Sequence, residues 1–484
     1  MFDLARRALD RARRHGATYA DVRIIRSAHE AVHVKNQTVD AVDVDESGGF
    51  GIRVLVDGGW GFASCNATTP EELDRTADLA VQIARASARI QSQPVTLAPV
   101  TPVTQRWESP LREDPFTVPM DEKSRILIEA TRLAQQNPGI RVAECFYNAF
   151  RTQQWFASSE GSEIEQTRTE CGGGMELTAT GNGEVQTRSY PASLEGLHQL
   201  AGFEVIRGLD LPGHAEQTAK ECVALVSADP CPSGELDIVL ESSQVALQVH
   251  ESCGHPTEGD RAFGLEASFA GNTFLTPDKR GAFRYGSDAV TIVADGSSPR
   301  GLGTMAFDDE GVPAQTYPLI DRGIFANYQS SREIAAQLGL PASSGAMRAS
   351  GWNRLPLIRM TNINLNPGDF TLDELIRGIK HGLYLKTTKS WSIDDVRLNF
   401  QFATEAGYEI TDGSLGRLLR NSTYQGITPD FWGSCDGVGK QSEWTMWGVL
   451  TCGKGEPMQS VHVGHGAAPA RFRKVRVGIM AEGG

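Results

Sequence analysis

The sequence predicts an α+β protein, with a smaller N-terminal α/β region followed by a large β-rich C-terminal domain. Three observations carry this expectation. The 484 residues exceed what one ordinary hydrophobic core organises, so two or three domains are expected. The N-terminal half alternates helical and strand periodicity. From residue 232 onward the chain consists mainly of short apolar runs, such as AVTIVADG, RMTNINLNPG and GLYLKTTKS, separated by Gly, Asn and Asp.

Taken in order, the chain opens on an amphipathic stretch with Phe2, Ala5, Leu9 and Ala12 on one side. Its arginines suggest a transit peptide. Asp3 and Asp10 interrupt it, however, and it runs directly into strand-like ADVRII, so a first structural helix is the better reading. β-rich runs are expected at 20–26 and 30–38. A Gly-rich run at Gly48 and Gly49 then leads into GIRVLVDGGWGFAS, where Asp57-Gly58 between alternating apolar runs reads as a hairpin turn. A long helix follows, with Thr69 as N-cap, Pro70 at the first helical position, Glu72 closing a capping box, and an apolar stripe of Leu73, Ala77, Ala80 and Ile83. These elements make up a first unit, 1–91. Prolines at 94, 99, 102, 110, 115 and 119 mark 92–119 as a linker or covering arm without regular structure. A second α/β unit, 120–228, holds a helix at about 120–136, strands such as RVAECFYNAF and MELTATG, and a helix near 215–227. The helix–strands–helix order of both units hints at a duplicated plan. A PCPSGE turn introduces the third unit, 232–484.

Composition narrows the function. The net charge of −14 argues against a nucleic-acid partner, because binding phosphates needs a basic surface. No stretch approaches the roughly 20 apolar residues that cross a bilayer, and no signal-peptide pattern is present, so a cytoplasmic protein is expected. Cysteines at 65, 145, 171, 222, 231, 253, 435 and 452 form no CxxC pair. Neither a disulfide framework nor a zinc ribbon is suggested, and a reducing compartment fits best.

The candidate chemistry lies in GELDIVLESSQVALQVHESCGHPTEGD, which reads as strand, tight turn and helix. Ser242 or Ser243 can cap the helix, which ends in His250-Glu251-Ser252-Cys253-Gly254-His255, an HExxxH sequence. Neutral imidazoles bind Zn²⁺, and a neighbouring carboxylate can take a proton from water that the metal activates. The spacing departs from the familiar HExxH. On a regular helix i and i+5 lie about 140° apart, so both rings face one ion only if the helix breaks or bulges, and Gly254 and Pro256 supply the means. A catalytic zinc needs a third protein ligand. Glu258 and Asp260 are near enough to be ligands or to support them, Cys253 lies between the histidines, and Cys452, His462 and His465 follow far downstream. Spacing does not rank them.

Several separated strings then resemble one family. HESCGHPTEGD at 250–260, DDEG at 308–311, PLIRMTN at 356–362 and TCGKGEPMQ at 451–459, with ATYADVRI and GGFGIRV near the N-terminus, are similar to the TldD/TldE (PmbA-related) metallopeptidases, specifically the TldD-like catalytic half. The strings fall in the family's order and span essentially the whole chain. The resemblance implies a β-rich C-terminal metallopeptidase domain, His250 and His255 as metal ligands, Glu251 as general base and Cys452 as third ligand. It also implies one divalent metal per chain, with zinc favoured by the His/His/Cys set although iron or cobalt would fit. Peptides or unfolded polypeptide segments are the implied substrates. The implied partner is a TldE/PmbA-like subunit or a second copy of the chain; TldE-like subunits lack the metal motif, which this chain retains.

A thiolate ligand would weaken the metal's Lewis acidity relative to three imidazoles, so a modest rate is expected. An open sheet edge could hold an extended substrate as an added strand, which predicts loose specificity. Asp308, Asp309, Arg359 and Asn362 are candidates for the cleft or for orienting ligands. Three rivals remain: a non-catalytic partner or scaffold subunit, a thiol hydrolase using Cys253 with a histidine base, and a metal-storage or sensing role that would show binding without turnover.

Overall fold

A computed structural model describes residues 1–478 except 92, 194, 269 and 270. The N-terminal half forms one mixed sheet faced by helices. Helix α1 (Phe2–Arg14) is followed by strands β1 (Tyr19–Lys35), β2 (Thr38–Val56) and β3 (Gly59–Cys65), then helix α2 (Pro70–Ala88). Strand β4 (Thr104–Glu108) leads to helix α3 (Met120–Ala134), strands β5 (Ile140–Ser158), β6 (Glu163–Gly181), β7 (Glu184–Tyr190) and β8 (Leu197–Gln199), and helices α4 (Glu204–Leu209) and α5 (Leu211–Ser227). The sheet order is β3-β2-β1-β5-β6-β4, with β7 and β8 also on β6. Antiparallel β1 and β5, paired from Asp21↔Ser158 to Lys35↔Glu144, therefore carry one sheet across both N-terminal units. The β3-β2-β1 and β5-β6-β7 halves meet at this pair, so the repeated helix–strands–helix order is also a repeated pairing.

Several local expectations change in the folded chain. The two runs at 20–26 and 30–38 are a single strand up to Lys35, because hydrogen bonding to both neighbours overrides weak local signals; the chain turns only at Asn36-Gln37, both at positive φ. Asp57 and Gly58 do make the hairpin turn, both at positive φ. Thr69 accepts the Glu72 amide, but the Glu72 carboxylate goes to Arg75 instead of closing a box. The buried stripe of α2 continues from Ala80 to Ala84, whereas Ile83, about 100° away around the helix, is exposed. The proline-rich stretch contains β4, which fits between Pro102 and Pro110 and pairs in parallel with β6. Close backbone approach requires Gly61, where an added Cβ would lie 2.1 Å from the Ala80 carbonyl oxygen of α2.

The C-terminal half is β-rich. Five strands, His381–Ile393, Gly234–Leu240, Ala470–Val477, Ser422–Ile427 and Asn399–Thr411, pair in that order, and the last pairs back to the first, closing a ring. Helix α6 (Ser242–Val249) packs against this ring: Gln244 donates to the Tyr424 hydroxyl, Thr388 donates to Gln244, and Tyr424 donates to Gln248. Its cap is Glu241, whose side chain accepts the Ser243 amide, rather than Ser242 or Ser243. A two-stranded hairpin, Thr445–Lys454 with Gln459–Ala467, lies beside α6 and brings Cys452 opposite Val461. Among the described residues, no helix is long and apolar enough to cross a membrane.

Candidate metal centre

The end of α6 does not continue as a regular helix. His250–Gly254 is one π turn, closed by a hydrogen bond from the His255 amide to the His250 carbonyl. An i→i+5 bond places residues five apart over one another, which a regular helix cannot do. The π turn therefore puts both imidazoles on one side, 4.8 Å apart between ring centroids and nearly perpendicular. Gly254 is needed there for space, because an added Cβ would lie 2.2 Å from Met360 Sδ. A short 3₁₀ turn, His255–Thr257, follows with Pro256 in it.

His250, His255 and Cys452 are buried, and their ligand atoms lie within 4.8 Å of one another. The surrounding hydrogen bonds decide which ring nitrogens are free. His465 Nδ1 faces the Ile363 carbonyl oxygen at 3.1 Å, and a carbonyl only accepts, so Nδ1 carries that ring's proton. Burial, with His250 adding to it, holds His465 well below its usual pKa, and the ring is neutral. Its Nε2 therefore accepts from His250 Nδ1 at 2.7 Å. His250 keeps a free lone pair on Nε2. His255 Nδ1 lies 3.1 Å from Glu258 Oε2. Burial alone would raise the Glu258 carboxyl, but Lys454, Arg261 and His255 outweigh it and hold it well below the carboxylate range. His255 Nδ1 also faces the Arg261 Nη2 at 3.2 Å, a group that only donates; in the tautomer that donates to the Glu258 anion, Nε2 is left free 3.9 Å from Cys452 Sγ. A carboxylate behind His255, and behind His250 a second imidazole itself held by a carbonyl, are partners of the kind that fix tautomer and orientation at metal sites.

Cys452 is electrically prepared. Burial would raise its pKa, but the Arg359 guanidinium, donating to Sγ at 3.2 Å, and His255 reverse the shift and lower it. Two imidazoles and a thiol biased toward thiolate form a donor set suited to a zinc-like ion, and their spacing is compatible with one ion.

The other expected residues divide sharply. Glu251 lies beside this cluster with its carboxylate pinned at both oxygens, by Trp391 Nε1 at 2.9 Å and Arg397 Nη1 at 2.8 Å. Burial would raise its pKa; His255, His250, Arg397 and Trp391 together lower it, and it is ionised. Asp260 binds the buried Lys454 ammonium through both oxygens. Arg359 lies on Cys452 rather than in an open cleft. Asn362 bonds the Asp295 carbonyl, the Thr304 hydroxyl and the Gly303 amide, pinning loops away from the cluster. Asp308 accepts the amides of Glu310, Val312 and Met347 and closes its own turn. Asp309 bridges the two halves of the molecule, accepting from Gln154, Arg23 and the Ala349 amide. Of the downstream histidines, His465 backs His250, whereas His462 points the other way, to Glu170. Cys253 faces the apolar core and burial pushes its thiol up, which leaves it unsuited to nucleophilic work. Sequence reasoning missed Trp391, Arg397, Arg261 and the role of Lys454. The lysine sat in the quoted TCGK string, where a signal existed, but the arginine and tryptophan of the 381–399 hairpin carried none.

Residues 20–84, 113–225 and 233–478 match, in turn, domain 1, the central domain and the C-terminal domain of the PmbA/TldA metallopeptidases. A metalloprotease of Methanocaldococcus jannaschii is 30% identical, covering 94% of this chain and 95% of its own. A zinc metalloprotease TldD homologue of Saccharolobus solfataricus is 23% identical, covering 97% of this chain and 98% of its own. Among solved structures, TldE from Thermococcus kodakarensis superimposes with a TM-score of 0.71 at 16% identity, over 98% of this chain and 100% of its own. That likeness shows a shared fold. With all three domains matched in order, the chain belongs to the PmbA/TldD metallopeptidase family.

Proposed function

We propose that this chain is a metal-dependent peptidase that hydrolyses peptides or unfolded polypeptide segments. In this reading His250, His255 and Cys452 hold one divalent ion, zinc in preference to others, and Glu251 is the general base. The observation that carries it is the pair of tautomer-fixing contacts, His465 behind His250 and Glu258 behind His255, which leave two imidazole lone pairs and the Cys452 sulfur converging. The names of the relatives, metalloprotease and zinc metalloprotease, support the same reading. When bound, the ion supplies Lewis acidity toward a carbonyl oxygen and makes water a nucleophile near neutral pH.

The chain's own residues do the rest. An ionised Glu251 takes a proton from the attacking water at a carboxylate oxygen and returns it to the leaving amine. Trp391 and Arg397 hold that carboxylate in place, one on each oxygen, and each oxygen keeps a second lone pair that can take the proton. Lys454 and Arg261 hold Glu258 against His255, keeping the ring aligned. In this proposal residues 232–484 form the catalytic unit, and a TldE/PmbA-like subunit or a second copy is the partner. The fold shared with TldE supports that choice of partner. The cytoplasm is the proposed location, since all eight cysteines are free and a reducing compartment keeps Cys452 available.

The test is hydrolysis of an unstructured casein fragment by metal-loaded protein, beside Glu251→Gln with its metal content measured. Loss of 10²–10⁴-fold in kcat is expected, with about one metal per chain retained. A variant as active as the wild type, or wild type that purifies and titrates without metal, overturns the reading.

A further inference from the structure

A cavity of about 420 Å³ opens between the N-terminal sheet and the C-terminal half. Gln154 of β5 and Arg168 and Glu170 of β6 line one side; Arg348, Trp352 and His462 line the other. Its charges are unevenly committed. Glu170 is fully engaged, with Arg168 on Oε1 at 2.7 Å and His462 Nδ1 on Oε2 at 2.5 Å. Asp309, at the margin, already accepts from Gln154, the Ala349 amide and Arg23. Arg348 has no such partner. Its side chain is buried, with the residue 6% exposed, and its one hydrogen bond runs from Nη1 to the Met360 carbonyl at 2.8 Å. Among the described residues no carboxylate lies within 4.0 Å of it, and the Arg168 Nε also lacks a partner.

A buried guanidinium without an anion is costly, and folded proteins pair such groups or use them. Burial, with Arg168 and Arg359 adding to it, outweighs the attraction of Glu170 and Asp309 and pushes Arg348 down to about 9. Packing alone would be served by methionine or leucine at this position. The cavity reaches the hairpin that carries Cys452, with Val461, the cross-strand partner of Cys452, in its lining. Arg348 holds the carbonyl of Met360, whose side chain packs on Gly254 and whose neighbour Arg359 binds Cys452 Sγ. His462 stands on the same hairpin as Cys452.

We infer that this cavity is a carboxylate-binding subsite for the peptide substrate, in which Arg348, flanked by Arg168 and His462, receives an Asp or Glu side chain or a free C-terminal carboxylate. The inference rests on the peptidase reading and gives it a substrate class. The subsite fits one carboxylate, since the Arg348 guanidinium lines it with Arg168 beside it and the resident acids already hold partners.

The test measures binding apart from turnover. Fluorescein-labelled octapeptides that differ only in Glu against Gln at one position, each with a free or an amidated C-terminus, are titrated by anisotropy into metal-loaded Glu251→Gln protein. A charge-assisted contact predicts that a carboxylate-bearing peptide binds about tenfold or more tightly than its neutral counterpart. The Glu/Gln pair and the acid/amide pair separate the side-chain source from the terminal one. Adding Arg348→Met should erase the preference and Arg348→Lys should keep part of it. Because no ion pair is lost and only the hydrogen bond to the Met360 carbonyl goes, Arg348→Met should melt within a few degrees of its parent. Equal binding of all four peptides, no binding of any, or a preference that survives Arg348→Met overturns the inference. The comparison in protein with Arg348 intact decides even where the variant folds poorly. Hydrolysis that persists in Glu251→Gln would defeat the peptidase mechanism and leave this binding result standing alone.

Discussion

Replacing Lys454 with methionine should cost both stability and metal affinity. The ammonium is fully buried and binds Asp260 at 2.7 and 2.8 Å and the Ile358 carbonyl at 2.7 Å, with Glu258 at 3.5 Å. With Arg261 it balances the two carboxylates, so truncation leaves one negative charge buried without a counter-ion. Removing one partner of a buried pair costs about 3–5 kcal/mol. Part of that is relieved because burial already raises the Asp260 carboxyl, which can take up a proton. Glu258 would then lose one of the cations that hold it against His255, and such supporting contacts are typically worth 10–100-fold in metal affinity. Urea denaturation of metal-free protein reads the first effect, and competition against a chromogenic zinc indicator reads the second. Lys454→Met with Asp260→Leu, which deletes both charges, should recover most of the stability. A stability loss under about 1 kcal/mol with unchanged zinc affinity would refute the claim that this cluster holds the ligand in place.

Other outcomes follow from the same geometry. Glu170, held down to about 2 from 4.5 chiefly by His462 and Arg168 against burial, is a depressed carboxylate. Its contribution, about 3 kcal/mol, is present above pH 4.5 and lost as the pH falls toward 2, so Glu170→Gln should flatten the acid limb of a stability–pH curve in that window. Trp391→Phe removes one donor to Glu251 and should lower kcat by about tenfold while leaving bound metal, measured by mass spectrometry, unchanged. Zinc at a thousandfold excess over its dissociation constant should stabilise the protein by about 4 kcal/mol. Cys452→Ser should shrink that gain in a thermal scan, and an undiminished gain would place the ion elsewhere.

What neighbouring residues encode was readable from the sequence alone. The helical stripes, the Thr69 cap, the Asp57-Gly58 turn and the need for an irregular helix at His250–His255 all follow from local periodicity and backbone sterics. The two-part α+β organisation follows from changes in that periodicity along the chain. Residue chemistry and spacing left Cys452, His462 and His465 unranked, although resemblance to a family singled out the cysteine. On a strand, residues three apart face opposite sides, so at most one of the two histidines could join Cys452's surroundings. Which one does is decided by how the hairpin docks on α6, across some 200 residues of chain. The same holds for Trp391, Arg397 and the unpaired Arg348, whose roles depend on which groups lie beside them after folding. Contacts of that kind are set by sheet register and core packing over long loops, and no short window of sequence contains them.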